Sequence, residues 1–386
     1  MTGTLEAMMT RSLFDLARKL KLEKASREFR DFREAHAYTA ARRLMDETFA
    51  DFPDVDRSFV REFQTAGFSA RVLELALFAA LREQGKELNR TSPAPDFVVG
   101  GDTPVAIEAT TTNPPQGEAA EDTDIASAVR RLIPDDLEAA ESEFVFQVGK
   151  ALRRKLEHRD AQGRAYWEQQ QVGGIPFVLA VQSFHHPSAL IHTVGPLSTY
   201  LYGIRDVATR DSHGSLVLNS QVVTEHQHKD KTIPSGLFAQ PEAEHLAAVI
   251  FTNSATVSKF ARMGTERGYG PEDVAMARCG LMYDPDPDAA LPVPFGYVVG
   301  DYGPEEHETF SEGFHVLHNP WARTPIAVGA LDGFTEHRLQ LNGRLLTTYR
   351  QPDYFVSQTL ILRGSNALKM ARHRAQQYLA DMASHL

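Results

Sequence analysis

Hydrophobic residues recur at helical spacing in three parts of the chain and form two short, nearly continuous runs elsewhere. An apolar stripe among charged residues predicts a helix, and Gly85 ends the second of these helices. A continuous apolar run is instead typical of a strand buried on both faces of a sheet. The predicted helices are Arg11–Phe49, Ser69–Gln84 and Glu143–His158, and the predicted buried strands are Pro176–Gln182 and Leu246–Asn253.

Turn residues predict two hairpins. Phe97–Val99 and Val105–Ile107 flank a Gly-Gly-Asp turn, and a second hairpin within His337–Arg350 centres on Asn342-Gly343. A last helix is predicted from Asn366 to about Ser384. This order indicates an α/β fold in which helices flank a central mixed sheet. We expect an N-terminal helical segment at 1–59, the α/β core at 60–263 and a C-terminal α+β region at 264–386.

Composition excludes several classes of protein. No segment approaches the roughly 20 apolar residues that span a bilayer, and the first residues lack the pattern of a secretory signal, so we expect a cytoplasmic protein without membrane contact. A single cysteine, Cys279, excludes a disulfide framework and a Cys-rich zinc module. The net charge of −11 argues against nonspecific coating of nucleic acid, but it permits a nuclease with a basic binding face.

Three carboxylates accompany the first hairpin. Asp96 precedes its first strand and Glu108 follows its second, so strand pairing brings both to the same end of a sheet. Glu74 stands among apolar residues of the preceding helix, where a carboxylate is costly unless it is paired or bound to a metal. Each acid taken singly is explained by a surface or capping role. Their order and spacing together favour a site for Mg²⁺ or Mn²⁺, which prefer oxygen ligands.

The same residues resemble the PD-(D/E)xK nuclease superfamily, which has the restriction-endonuclease-like fold. Pro95-Asp96 and Glu108 match the two strand acids of that superfamily, and Glu74 matches the acid of its leading helix. The resemblance extends from about Val60 to Asn253 and implies a metal-dependent nuclease. One position departs from the pattern, because Thr110 stands where the superfamily has a lysine. In that superfamily the lysine is known to migrate, usually to the following helix.

The helix predicted at Glu143–His158 contains two lysines. At about 100° per residue, Lys155 falls near the centre of its apolar face, whereas Lys150 points toward solvent. A buried ammonium needs an acid nearby, unless the side chain extends past its neighbours to water. Lys155 is therefore the candidate for the migrated lysine and Lys150 the second candidate, while Gln147 lies at the edge of the same face.

The resemblance implies a division of roles among these residues. The expected metal ligands are Asp96, Glu108 and the Ala109 carbonyl, with Glu74 acting through water or at a second metal position; Lys155 positions the attacking water, and Gln147 orients a ligand or a phosphate. The expected reaction is hydrolysis of phosphodiester bonds in nucleic acid, DNA before RNA, in restriction, repair or defence. A second copy of the chain is a candidate partner. The alternative function is a catalytically inactive module of the same fold that acts in binding or interaction.

Another cationic pair follows the second buried strand. Lys259 and Arg262 stand with serine and threonine residues where a strand passes into a helix. Such a junction binds phosphate in many proteins through the helix N-terminus and its side chains. An ordinary capped helix explains the same residues, so both interpretations stay open at this point.

Overall fold

The structure is a computed structural model, and it describes residues 12–55, 57–89, 92, 94–113, 134–284, 286, 289, 291–302 and 307–384. The helices in these ranges are α1 (Arg27–Glu34), α2 (Thr39–Ala50), α3 (Phe59–Phe63), α4 (Phe68–Glu83), α5 (Leu137–Leu156), α6 (Val194–Tyr202), α7 (Val257–Glu266) and α8 (Ala367–Ala383). The strands are β1 (Leu88–Asn89), β2 (Phe97–Val99), β3 (Val105–Thr112), β4 (Phe177–Ser183), β5 (Ile204–Arg210), β6 (Leu216–Val222), β7 (Glu225–His228), β8 (Lys231–Pro234), β9 (Leu246–Thr252), β10 (Val274–Met282), β11 (Val293–Val298), β12 (Phe314–His318), β13 (Thr335–Leu339), β14 (Leu345–Thr348) and β15 (Tyr354–Arg363). None of the described helices combines the length and the apolar character that a membrane span requires.

The N-terminal region is helical only in part, contrary to the sequence prediction. The helix expected over Arg11–Phe49 is divided into α1 and α2, and most of residues 12–26 have no regular structure. In the irregular segment, backbone groups pair with the buried side chain of Gln64. It accepts a hydrogen bond from the Ala17 amide and donates to the carbonyls of Leu13 and Asp15. These bonds satisfy backbone groups that a helix would pair internally.

The first hairpin forms as predicted and belongs to a larger sheet. β2 and β3 are antiparallel, with Phe97 opposite Ile107, and Gly101 in the turn has a φ of +86°, a conformation that favours glycine. β3 lies parallel to β4, and β4 lies parallel to β9. Both β4 and β9 are buried along their whole length, so the two apolar runs are strands as expected.

One mixed sheet of eight strands organises the fold, in the order β1-β2-β3-β4-β9-β12-β13-β14. Helix α4 packs on one face of this sheet over a first hydrophobic core. Helices α5 and α6 pack on the other face over a second hydrophobic core. The protein is therefore a mixed α/β protein, as expected. Strands β12 to β14 come from the region expected to form a separate C-terminal unit, so the sheet crosses the expected boundary at residue 263.

The C-terminal part adds a small second sheet. β10 pairs antiparallel with β11 on one side and with β15 on the other. Helix α8 packs against this sheet through alanines and covers the buried Cys279. The last helix runs between Asn366 and Ser384, and the hairpin of β13 and β14 turns at Gly343 with a φ of +79°. Both of these elements confirm the sequence prediction.

Candidate active site

The first hairpin sets two carboxylates side by side. Because Phe97 pairs with Ile107, the next residues outward, Asp96 and Glu108, lie opposite each other. Side chains alternate along a strand, so Glu108 faces the core beneath α5. The Asp96 amide donates to Glu108 Oε2 at 3.2 Å, and the Ala109 amide donates to Asp96 Oδ2 at 2.8 Å. Backbone donors thus help to hold both buried carboxylates in place.

Lys155 reaches these carboxylates from α5. Its Nζ donates to Glu108 Oε1 at 2.6 Å, and its side chain is 20% exposed, against 7% for the side chain of Glu108. The helix packs on the sheet through an apolar face that includes Val148 and Leu152, both fully buried. Lys155 continues this face toward the end of the helix. The acid that the helical projection required near Lys155 is therefore present, while the role of Lys155 stays a prediction.

The electrostatics of this group act differently on its acid and its lysine. Burial raises the pKa of Glu108 to about 7, with the neighbouring Asp96 charge acting in the same direction and Lys155 acting against it. Burial alone would lower the pKa of Lys155, but the Glu108 carboxylate outweighs burial and raises that pKa above its ordinary value. Lys155 is therefore charged at neutral pH, and both Glu108 and Asp96 act to raise its pKa.

Tyr166 belongs to this group, although sequence reasoning missed it. It lies in a short 3-10 turn, Tyr166–Glu168, beyond the end of α5. Its hydroxyl accepts a hydrogen bond from Lys155 Nζ at 3.4 Å, and burial and the Glu108 charge raise the pKa of Tyr166 above its ordinary value. The hydroxyl therefore keeps its proton at neutral pH. A single tyrosine in a segment without periodicity carries no signal that would have identified it.

An open cavity of about 680 Å³ adjoins these residues. Helix α4, strand β3 and helix α5 all contribute to its lining, which also includes Gln147. Its charged lining residues are Arg71, Glu74, Asp96, Glu108, Lys150, Arg154 and Lys155. Lys150 and Arg154 are exposed, and no ion pair with a described residue involves either of them. Lys150, which the projection directed to solvent, therefore shares the cavity with Lys155.

Glu74 lines the same cavity within an ion pair. Arg71 Nη1 lies 2.7 Å from Glu74 Oε1 and 2.5 Å from Oε2, and Arg71 also pairs with Glu62. This pairing explains how a carboxylate is tolerated among the apolar residues of α4. In the part of the chain that the structure describes, no three His, Cys, Asp or Glu side chains are arranged to hold a metal ion. Glu74 therefore does not form a three-carboxylate cluster with Asp96 and Glu108.

Asp96 and Glu108 by themselves are a suitable donor set for Mg²⁺. In proteins this ion commonly keeps several waters and takes one or two carboxylates together with phosphate oxygens of the substrate. The two carboxylates adjoin an open cavity. The repulsion between them, which contributes to the raised pKa of Glu108, is also what a divalent cation relieves. The donor chemistry and the available space thus fit a magnesium ion.

The second cationic pair identified in the sequence lies inside the protein. Lys259 is fully buried and donates from Nζ to two backbone carbonyls of the segment before β12, at 3.0 and 2.6 Å. Arg262 forms two hydrogen bonds with Glu308, at 2.7 and 2.6 Å. Thr256 caps α7 by accepting from the Lys259 amide. Of the two open interpretations, the structure supports the ordinary capped helix.

Comparison with known proteins does not assign a function to the chain. No protein-family model, curated protein or solved structure matches the chain. The distances, burial and charges of the described residues are therefore the basis for assigning a role to Asp96, Glu108 and Lys155. In this group two neighbouring carboxylates and a cation lie beside an open cavity.

Proposed function

We propose that the protein is a metal-dependent nuclease that hydrolyses phosphodiester bonds in nucleic acid, with DNA as the expected substrate. The observation that carries this proposal is the 2.6 Å contact between Lys155 Nζ and Glu108 Oε1, beside Asp96. A cation from the helix after the hairpin thus stands next to the strand acids, as the resemblance to the PD-(D/E)xK superfamily implies for a migrated lysine. It supplies the charge that Thr110 lacks.

The order of elements also supports the proposal. Helix α4 precedes the antiparallel strands β1 to β3, helix α5 follows them, and β4 returns parallel to β3. The acids and the lysine lie on these elements in the sequence order that the resemblance implies. A fold hosts many functions, so this argument is weaker than the one from the site itself.

Each side chain has a role in such a reaction. A bound Mg²⁺ supplies a Lewis acid and lowers the pKa of a coordinated water. Asp96 and Glu108 would bind the ion with the Ala109 carbonyl, and Glu74 would act through water. Lys155 would hold the attacking water and offset the charge that develops on the phosphate. Because its pKa is raised, Lys155 acts as a charged donor rather than as a base.

The outer part of α5 suits an anionic polymer. Lys150 and Arg154 line the cavity together with Gln147, and both cations are exposed. Exposed lysines and arginines bind the phosphates of a nucleic acid and release counterions from it. We assign Lys150 and Arg154 to phosphates flanking the scissile bond and Gln147 to orienting a phosphate. The net charge of −11 is compatible with this arrangement, since only the binding face must be basic.

Cleavage of labelled DNA and RNA, with Mg²⁺, with Mn²⁺ or with a chelator, tests the proposal. We expect metal-dependent cleavage by the wild type and a loss of at least about 100-fold in Asp96→Ala, Glu108→Ala and Lys155→Met. Lys150→Met is the matched control, because it removes a lysine from the same helix and the same cavity. It should raise KM for the nucleic acid and leave kcat near the wild-type value.

Two outcomes would contradict the proposed nuclease, and a third would contradict the role assigned to Lys155. Unchanged cleavage in both Asp96→Ala and Glu108→Ala would assign the activity to other residues. Absence of cleavage by the wild type under all metal conditions, with DNA and with RNA, would favour the inactive binding module instead. Equal losses in Lys155→Met and Lys150→Met would remove the distinction between a reacting lysine and a phosphate-binding one.

A further inference from the structure

Tyr166 adjoins Lys155 in the proposed catalytic group, and neither the sequence pattern nor the resemblance identifies it. Its ring is fixed from two sides. It stacks on His158 with the centroids 4.9 Å apart, and on Phe177 at 5.6 Å with an interplanar angle of 10°. The residue is 5% exposed. Because the ring is held in this way, the hydroxyl has a defined position and only its proton is free to rotate.

Hydrogen-bond chemistry determines the direction of the contacts of this hydroxyl. An ammonium has three donors and no acceptor, so in the 3.4 Å contact Lys155 Nζ donates and Tyr166 Oη accepts. Lys155 also donates to Glu108 Oε1. The ammonium therefore bridges the Tyr166 hydroxyl and the Glu108 carboxylate, and the Tyr166 hydroxyl helps to fix its position.

We infer that Tyr166 is a positioning residue that holds the Glu108 carboxylate and the Lys155 ammonium in the orientations needed for metal binding and hydrolysis. This inference rests on the proposed nuclease function. Tyr166 is not among the residues that line the cavity, so it would act through Lys155 and Glu108. Lys155 needs such a restraint because its flexible side chain loses conformational entropy when it is held in one place. Outer partners of this kind typically contribute 10- to 100-fold to metal affinity or activity.

Tyr166→Phe is the test, because it removes the hydroxyl and keeps the stacked ring. Calorimetric titration with Mn²⁺ measures the dissociation constant and the fraction of binding-competent protein. We expect a dissociation constant about 10- to 100-fold weaker, an unchanged stoichiometry, and a lower kcat for DNA with little change in KM. Tyr202→Phe is the matched control. It removes another buried hydroxyl, one that donates to the carbonyls of His318 and His337 away from this cavity.

The possible results separate this inference from the proposed function. Wild-type Mn²⁺ affinity and kcat in Tyr166→Phe would overturn the positioning role and leave the nuclease proposal intact. An equal loss of Mn²⁺ affinity in Tyr202→Phe would overturn it too, as would a loss of stoichiometry in Tyr166→Phe without a change in affinity. Absence of Mn²⁺ binding by the wild-type protein would overturn both the positioning role and the proposed function.

Discussion

Two ion pairs of the same length lie in different surroundings in this protein. Lys155 Nζ lies 2.6 Å from Glu108 Oε1, and Arg262 Nη2 lies 2.6 Å from Glu308 Oε1. Each pair joins a helix to a segment remote in the sequence, and both carboxylates are buried. The length of an ion pair therefore does not distinguish a candidate active site from a structural contact.

The surroundings of the two pairs make the distinction. Glu308 faces two arginines, Arg262 and Arg278, and Arg278 also pairs with Glu312 at 2.8 Å; the side chains of all four are at most 7% exposed. Their charges balance inside a closed interior. The Lys155–Glu108 pair instead lies beside a second carboxylate, Asp96, and an open cavity. Neighbouring carboxylates within reach of solvent, one of them with a raised pKa, are expected of a functional site.

The largest expected difference between the two regions is in stability. Glu308→Gln leaves two buried arginines without their shared carboxylate, so we expect the free energy of unfolding to fall by about 3–5 kcal/mol. Glu108→Gln should change it by about 1 kcal/mol or less, since Lys155 is partly exposed and its ammonium remains hydrated. Urea unfolding of both variants measures these values. Equal losses would show that both pairs are structural contacts.

A smaller effect concerns stabilisation by metal. Mg²⁺ at 100 times its dissociation constant should raise the free energy of unfolding of the wild type by about 2.7 kcal/mol. Asp96→Asn and Glu108→Gln should lose this gain, whereas Lys150→Met should keep it, because Lys150 is assigned to phosphate rather than to the ion. Thermal melting with and without Mg²⁺ or Mn²⁺ measures the gain. Identical melting temperatures of the wild type with either ion would favour the inactive module.

A third expected difference concerns pH dependence, and its sign differs between the two carboxylates. Burial alone would raise the pKa of Glu308, but Arg262 and Arg278 lower it to about 2. Its stabilising contribution is therefore complete above its ordinary pKa of 4.5 and is lost as the pH falls through 2. Burial and Asp96 raise the pKa of Glu108 to about 7. The metal-free folded protein then binds a proton more tightly than the unfolded chain, so stability should decline as the pH rises from 4.5 through 7.

Urea unfolding of the metal-free wild type and of Glu108→Gln between pH 4 and 8 tests the prediction for Glu108. As the pH rises through this range, the free energy of unfolding of the wild type should fall steadily relative to that of the variant. Glu266, whose pKa burial also raises to about 7, is present in both proteins and cancels. Parallel curves would mean that Glu108 titrates at the same pH in the folded and the unfolded protein.

Local pattern was a sufficient guide wherever an element's own residues decide its structure. Helix α4, the first hairpin, β4, β9 and α8 all lie close to their predicted ranges, because periodicity, turn glycines and caps act over a few residues. The prediction of a long N-terminal helix was wrong, and part of the reason lies outside that segment, because the Gln64 side chain pairs with backbone groups near its start. The domain ranges stay a prediction, although the eight-stranded sheet crosses one expected boundary.

The sequence by itself determined that Asp96 and Glu108 share one end of a sheet and that Lys155 lies on the sheet-facing side of a helix. Both follow from the short repeats of strand and helix. Only the tertiary structure decided that Lys155 meets Glu108, which is 47 positions away, that Tyr166 joins them, and that Lys259 and Arg262 are enclosed. These contacts depend on how helices pack on the sheet, and pattern within a segment does not specify which distant side chains then meet.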